Sequence, residues 1–482
     1  MYPKIIPEKY LLGLLSSLVA IGILVLFWMD SGLSGGSDSY GHYLIAKNAW
    51  KHPYLLLDQW GKPLYTLIAL PFAQLGLIGP IILNALCLIS SSMLTYQIAL
   101  KLKWRYAFMG FILTLFSPVF LDNTISALTE PLCATLVILT IYFFVHKKYP
   151  LSALIAGFLP YARSEGFIVL GAIFFLLIFV KKKYRTIFQL LLGSLLMNTI
   201  GWAIEGDPFW VITQNPYINF ELSGRNVCGS GGLFHYMYAG HYTFGFFVCL
   251  ILPVSILYFA WNYLRNKQLR DDNILLLIAI FLLYFGAHVY IWWKGMMGSC
   301  GYVRVMTVIA PVVSLIVVYG LDRVNAGVTK VRDQGVKKVF NVLVFLFMIN
   351  TIYAPYRYYA YRYPLEISEE QKLYHALLKW YETQDYSGRT KIYLYPYFSI
   401  IANIDPYDKN QHLEFWASSL QFSKKGDILI WDSHFGPNES GTSLQQLEDN
   451  KVWKKIHQII PQQPFITMNN IPFEIHVFEK IE

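Results

Sequence analysis

Charged residues are scarce in this chain, and those that lie away from its strongly basic turns are the ones whose types could do chemistry. They are Asp38, Lys47, Lys51, Asp58, Lys62, Asp122, Glu130, Arg163, Glu165, Glu205, Asp207, Glu221, Arg225, Lys294 and Arg304. A charge in or beside a bilayer is expensive to keep, so each of these is a functional candidate to be weighed against a plainer role. Asp38 stands in Gly35-Gly36-Ser37-Asp38-Ser39-Tyr40-Gly41-His42, immediately after the first apolar run. Ser37 or Asp38 could simply cap a helix there. A carboxylate at a water–lipid boundary is also well placed as a general base, because partial desolvation raises its basicity. Trp60-Gly61-Lys62-Pro63-Leu64-Tyr65 puts a cation and a helix-starting proline before an apolar stretch that lies along or dips into the outer leaflet. Interfacial snorkelling accounts for Lys62 equally well.

The elements that must position these residues are apolar helices. The chain has 482 residues, of which 55% are hydrophobic and 14% charged, with a mean hydropathy of +0.41. Soluble domains carry about 25% charge, so a soluble enzyme is excluded. Runs long enough to cross a bilayer are predicted at about 11–29, 79–100, 106–121, 128–145, 163–180, 186–204, 242–264, 274–293, 303–321 and 338–355. A shorter one at 151–162 completes about eleven spans. The first run lacks a small-residue cleavage site and reads as a retained helix rather than a signal peptide.

The 39 Lys and Arg sort by side. With the N-terminus inside, nineteen fall on the cytoplasmic side, seven on the opposite side and thirteen in the C-terminal tail. The net charge of +9 is therefore an orientation signal, and no nucleic-acid partner is implied. The membrane part spans residues 1–355, with a first outer loop at about 30–78. Residues 356–482 turn slightly acidic and read as a small extracytoplasmic α/β domain. Its helices are expected at 368–383 and 443–450, and its strands at 391–395, 427–431 and 473–479. Asp432 and His434 fall at a strand end in this tail, where structural hydrogen bonding suffices to explain them.

Of the five cysteines, Cys87, Cys133 and Cys249 fall inside spans. Cys228 and Cys300 fall in outer loops and could be either a bridge or two thiols. The 205–241 loop holds Asp207, Trp210, Gln214, Asn215, Tyr217, Glu221, Arg225, His235 and Tyr236, a mixture suited to sugar recognition or to loop packing alike. Trp292-Trp293-Lys294 has the character of an interfacial belt.

The order of motifs over about residues 1–355 resembles the GT-C glycosyltransferases of the ArnT and protein O-mannosyltransferase type. The motifs are Asp38 after the first helix, Lys62-Pro63-Leu64, Ser117-Pro118, Leu128-Thr129-Glu130-Pro131, Arg163-Ser164-Glu165-Gly166, Gly206-Asp207-Pro208 and Gly301-Tyr302-Val303-Arg304. The pattern departs from many relatives in three places: Asp38 is followed by Ser39 rather than Glu, Glu130 replaces Asp, and the basic turn is Arg-Ser-Glu-Gly. The resemblance implies a multi-pass protein of the inner (plasma) membrane with a cytoplasmic N-terminus. It implies a hexosyl or pentosyl transferase that moves a sugar from a polyprenyl-phosphate donor to an extracytoplasmic lipid, glycan or protein acceptor, by an inverting single displacement.

On this reading Asp38 is the base. Arg163 and Arg304, with Lys62 and Lys294 behind them, hold the donor phosphate. Glu130 orients the acceptor, shares a metal or holds an arginine, and Asp122, Glu165, Tyr40 and His42 are sugar or acceptor contacts. Arg163 could instead pair with Glu165 or Glu130, and Arg304 could be an interfacial anchor. No cofactor is required; a Mg or Mn ion could be held by Asp38, His42, Asp122 and Glu130. Two other functions fit the same composition. One is a flippase or transporter; the other is an oligosaccharide ligase or polymerase with a diphosphate donor.

Overall fold

The computed structural model describes residues 7–218, 228–265, 271–416 and 418–482. Glu221 and Arg225 lie outside them. By its contacts the chain divides into two compact units, Met1–Asp30 with Leu56–Pro364 and Ser31–Leu55 with Leu365–Glu482.

The first unit is helical: α1 (Glu8–Met29), then, after α2 (Gly36–Asn48) of the other unit, α3 (Pro63–Ala73), α4 (Ile78–Lys101), α5 (Ala107–Leu115), α6 (Pro118–Thr124), α7 (Glu130–Val145), α8 (Tyr149–Ala162), α9 (Gly166–Phe175), α10 (Ile187–Glu205), the single turn α11 (Trp210–Thr213), α12 (His235–Thr243), α13 (Phe246–Arg265), α14 (Asp272–Lys294), α15 (Ala310–Val328) and α16 (Gln334–Tyr359). Among the described residues, seven helical runs are long and apolar enough to cross a membrane, and α5 with α6, bent by 49° at Phe116-Ser117, makes an eighth. The bend comes where Pro118 cannot donate a helical N–H. All eleven runs expected from the sequence are apolar helices. Three of them, α7, α8 and the 166–180 run that begins with α9, are shorter helices, so seven or eight runs meet the length of a full span by themselves. Pro63–Ala73 is a further short apolar helix, starting at the proline the sequence marks.

Helices α4, α5, α7, α8 and α15 form the packed centre. Helices α8 and α10 approach so closely that a Cβ on Gly193 would stand 2.1 Å from the Gly157 carbonyl oxygen. By contrast α1, α10 and α16 leave most of their apolar side chains uncovered. That is the pattern of helices facing hydrocarbon instead of a core.

The second unit is built on a five-stranded sheet in the order β2-β1-β3-β5-β4, where β1 is Lys391–Tyr393, β2 His412–Glu414, β3 Ile428–Asp432, β4 Trp453–Ile459 and β5 Ile475–Lys480. Strand β1 runs parallel to β2 and β3, while β5 is antiparallel to β3 and β4. Ile392, Phe415, Leu429, Trp431, Leu447, Trp453 and Phe478 make its core. Helices α17 (Glu369–Tyr381) and α19 (Leu444–Glu448) each begin with a serine capping box, Ser368 with Gln371 and Ser443 with Gln446. The short α18 (Pro396–Ile401) follows β1. Strands β2 and β4 and helix α18 are elements of this unit that the sequence pattern does not announce.

The division corrects the expected boundaries. Helix α16 runs past residue 355 and the break between the units comes at Pro364. Residues 31–55, expected with the membrane part as its first outer loop, pack in the second unit. The reason is visible at Tyr40, whose hydroxyl accepts from Leu33 N at 3.1 Å and from Gln371 Nε2 at 2.9 Å. Its ring meets Tyr397 edge-on at 5.0 Å.

Candidate active site

In the first unit the structure brings together Glu130, Arg163, Glu165 and Arg304. Glu130 opens α7 after a connection that is tightly held: Asn84 donates to the Ser126 carbonyl at 2.8 Å, and Tyr65 donates to that of Ala127 at 2.7 Å. Arg163 ends α8 in an extended conformation (φ −158°). Its Nη1 lies 2.9 Å from Glu130 Oε1 and donates to Thr129 Oγ1 at 2.8 Å, while Nη2 reaches Glu165 Oε1 at 2.8 Å. Arg304 Nε lies 3.5 Å from the same Glu130 Oε1. The Glu130 side chain is 1% exposed and that of Arg163 11%. Two carboxylates thus balance two guanidinium groups in a dry setting, where an unpaired charge costs several kcal/mol.

His288, on α14, is a member the sequence reading passes over. Its Nε2 is 3.9 Å from Glu165 Oε1, and a buried imidazole in the apolar 272–294 run was the signal for it. Thr129 was likewise passed over.

Arg163 is therefore engaged on both sides, paired with Glu130 and with Glu165. Arg304 faces two ways: beyond Glu130, it lines a cavity of about 440 Å³ with Asp122, His241, Tyr242, Arg357, Tyr358, Tyr359, Tyr361 and Arg362. This volume suits a phosphate group with part of a sugar. Asp122 accepts from Tyr363 at 3.0 Å and pairs with Arg362 at 3.2 Å, so it is an ion-pair partner in this wall. By composition Arg357 and Arg362 fall in the C-terminal tail. They belong to the C-terminal end of α16 and the turn after it, where Tyr356, Tyr358, Tyr359 and Tyr361 alternate with the cations. That interleaving is an interfacial signature.

Lys62 lies at a second, smaller recess with Gln59, Tyr161, Ser164, Trp210 and Asn215. It is buried, with φ +64° in the left-handed region that non-glycine residues seldom adopt. Its ammonium donates to Gln59 O at 2.8 Å and Ser164 Oγ at 3.3 Å and stands 4.4 Å from the Tyr217 ring centre. A fully buried cation is more than snorkelling requires. Trp210 packs against Gly201 and donates to Met197 O at 3.2 Å, which makes it core. Lys294 is exposed and rests 3.9 Å over the Trp293 ring, as a belt residue would.

Asp38, Tyr40 and His42 belong to the second unit. Helix α2 begins after Gly35 in the left-handed region, so the cap position itself is a glycine, and Ser37 and Asp38 lie inside the first turn. Asp38 is half-buried in the first turn, where the helix dipole favours an anion, and His42 and Tyr40 are buried. Near them, burial raises the Glu439 carboxyl to about 7; His434 opposes this and the charges of Asp38 and Asp432 reinforce it. Asp432 is also raised by burial, although Tyr374 donates to it at 2.6 Å. It accepts from the backbone of His434 and Phe435 at 2.9 and 2.7 Å, which is the strand-end hydrogen bonding expected of it. His434 Nδ1 lies 3.0 Å from Glu370.

Among the described residues no group of three or more His, Cys, Asp or Glu side chains is disposed to hold a metal. Of the four ligands considered for one, Asp38 and His42 fall in the second unit and Asp122 and Glu130 in the first. Cys228 and Cys300 are joined in a disulfide, and Cys87, Cys133 and Cys249 are free thiols.

Two comparisons by sequence find nothing: no family model matches, and no curated protein does. Comparison by structure finds the fold. The chain is similar to the crystal structure of ArnT from Cupriavidus metallidurans bound to undecaprenyl phosphate, with a TM-score of 0.58 at 10% identity over 98% of each chain. It is similar also to the same protein in the apo state, with a TM-score of 0.56 at 10% identity over 96% of this chain and 98% of that one. The likeness takes in the second unit as well as the helices, so the whole architecture is ArnT-like.

Proposed function

From an ArnT-like fold that runs the length of the chain, we propose a membrane glycosyltransferase that takes a sugar from a polyprenyl-phosphate donor. The observation that carries the reading is the cavity in which Arg304, Arg357 and Arg362 gather beside the buried Glu130–Arg163 pair. A lipid phosphate needs cations at the membrane face to hold it and to stabilise the charge that develops as it leaves. Arg304 and Arg357 supply planar donors for that purpose. Glu130 holds Arg304 from the protein side, and Arg163 with Glu165 holds Glu130. Lys62 is the second candidate phosphate cation. The crystal structure of ArnT with undecaprenyl phosphate makes a polyprenyl-phosphate-linked sugar the natural donor to try, with polyprenyl phosphate as the leaving product.

In the reaction the acceptor oxygen or nitrogen attacks the anomeric carbon, and the carbon–oxygen bond to phosphate breaks with its electron pair going to phosphate. The acceptor proton passes to a base. One displacement gives inversion. Asp38 is proposed as that base on its carboxylate chemistry, and it has its own test. A folded Asp38→Asn protein should lose at least about 100-fold in turnover while still binding polyprenyl monophosphate; full activity would remove it from the role. The proposed location is the inner membrane, with the N-terminus cytoplasmic and the second unit on the outer side. The Cys228–Cys300 disulfide supports that orientation, since such bonds persist in oxidising compartments.

The purified protein in nanodiscs should release polyprenyl monophosphate from polyprenyl-phosphate pentose or hexose donors presented with envelope lipids and glycans. Arg304→Ala should lower kcat/KM roughly 10- to 100-fold, the range for losing a charged hydrogen-bond partner. Turnover of diphosphate-linked oligosaccharide donors alone would transfer the protein to the ligase class.

A further inference from the structure

Arg304 follows a stretch of chain with little regular structure of its own. Between Lys294 at the end of α14 and the turn that starts at Val303, residues Gly295, Met297, Gly298 and Gly301 all have positive φ. Such a loop samples many conformations unless it is tied down. On the downstream side the tie is Asn123, whose Nδ2 donates to the Arg304 carbonyl at 3.1 Å and also bonds Thr307 Oγ1.

On the upstream side several ties lead to one other loop. Cys300 is bonded to Cys228, 72 residues away in sequence. His235 Nε2 lies 2.7 Å from the Gly301 carbonyl as its donor, and Gly231 N donates to Trp292 O at 3.1 Å. Trp292 is wedged between the two loops: a Cβ on Gly301 would lie 2.6 Å from its ring and one on Gly231 1.9 Å. The bond is the covalent link among these ties, four residues from Arg304, and it joins the 228–235 and 295–303 segments.

We propose that the Cys228–Cys300 disulfide is a positioning element for Arg304, setting where the guanidinium stands in the cavity and so how tightly a lipid phosphate is held. This rests on the reading of Arg304 as a phosphate ligand given above. On this proposal the chain reaches its full phosphate affinity only after oxidation outside the reducing cytosol. Cleavage by a dithiol takes two electrons and two protons, leaving Cys228 and Cys300 as thiols and the reagent as its own disulfide. The other three cysteines are unbridged, so a dithiol has one target within the chain.

The test is a double-mutant cycle on the full chain in nanodiscs, read as the dissociation constant for polyprenyl monophosphate. Wild type, Cys228→Ser/Cys300→Ser, Arg304→Ala and the triple variant are compared. The double cysteine variant should bind roughly 10-fold more weakly, and the cysteine changes should have no further effect once Arg304 is alanine. A merely structural bridge would lower the melting temperature and weaken binding equally in both backgrounds, and that additive result overturns the proposal. Unaltered binding by the cysteine variant, with Arg304→Ala impaired, overturns it alone. Unaltered binding by Arg304→Ala overturns the phosphate assignment together with it. Should the cysteine variant fail to fold, wild type is reduced in place with dithiothreitol and then reoxidised. Binding should fall and recover, and constancy through that cycle counts against the role.

Discussion

Glu130 is the residue on which the first unit's ion cluster turns. Its Oε1 serves Arg163 at 2.9 Å and Arg304 at 3.5 Å, while its Oε2 is buried with no hydrogen-bond partner among the described residues. Glu130→Gln would leave two guanidinium groups facing a neutral amide, and breaking a buried pair in this way costs about 3–5 kcal/mol. We expect a clear fall in melting temperature, larger than for Glu165→Gln, whose side chain is 21% exposed against 1%. Calorimetry of the two variants in the same detergent decides it; equal shifts would mean that Glu130 has no special place. Arg163→Lys should be nearly as damaging as removal, since one ammonium cannot serve Glu130, Thr129 and Glu165 together. The sequence makes these residues candidates through the rarity of charge. Who pairs with whom depended on how α7, α8 and the 303–309 turn meet, which no local pattern encodes.

At the scale of elements, α2 is the instructive case. Its position just after the first span suggests an outer loop of the membrane part, yet Tyr40, Tyr43, Leu44, Ile45 and Ala46 are all buried in the second unit. The sequence marks the start of a helix here but cannot say which surface will receive it. The grouping has a measurable consequence through Glu439, raised by burial to about 7 with Asp38 contributing. A carboxyl whose folded value lies above its unfolded one adds stability that is complete below about pH 4.5 and is lost as pH rises through about 7. The loss is at most about 3 kcal/mol. Melting of the full chain from pH 5 to 8 should therefore show the second unit weakening with pH. Glu439→Gln should flatten that slope, and Asp38→Asn should move its midpoint down. A Glu439→Gln profile that parallels wild type would dismiss the coupling. Helix α16 teaches a related point: the shift in composition at Tyr356 looks like the start of a soluble domain, but it is the wet end of a span, and reading it as tail hides Arg357 and Arg362.

For the molecule as a whole, charge and hydropathy carry the topology. Nineteen basic residues on one side against seven on the other, outside the tail, predict that alkaline phosphatase fused after Glu482 will be active and that green fluorescent protein there will be dark. The opposite pair of results would invert the orientation and set the disulfide in the wrong compartment. Apolar helices such as α1, with Trp28 87% exposed, need hydrocarbon around them, so extraction into mild detergent should be required for solubility.

What the sequence determined by itself is the class of object: a polytopic helical protein with a small α/β part, the turns in which its basic residues gather, and the few charged residues that stand apart from them. These follow from composition and from periods of a few residues, which act locally along the chain. The tertiary structure alone decided that Arg163 is held between Glu130 and Glu165, that Arg304 faces a cavity with Arg357 and Arg362, that Cys228 meets Cys300, and that Asp38 travels with the C-terminal sheet. Each of these joins segments whose separation in sequence carries no signal, and the joining is settled by close packing of helices and strands, where shape and buried charge must be satisfied together.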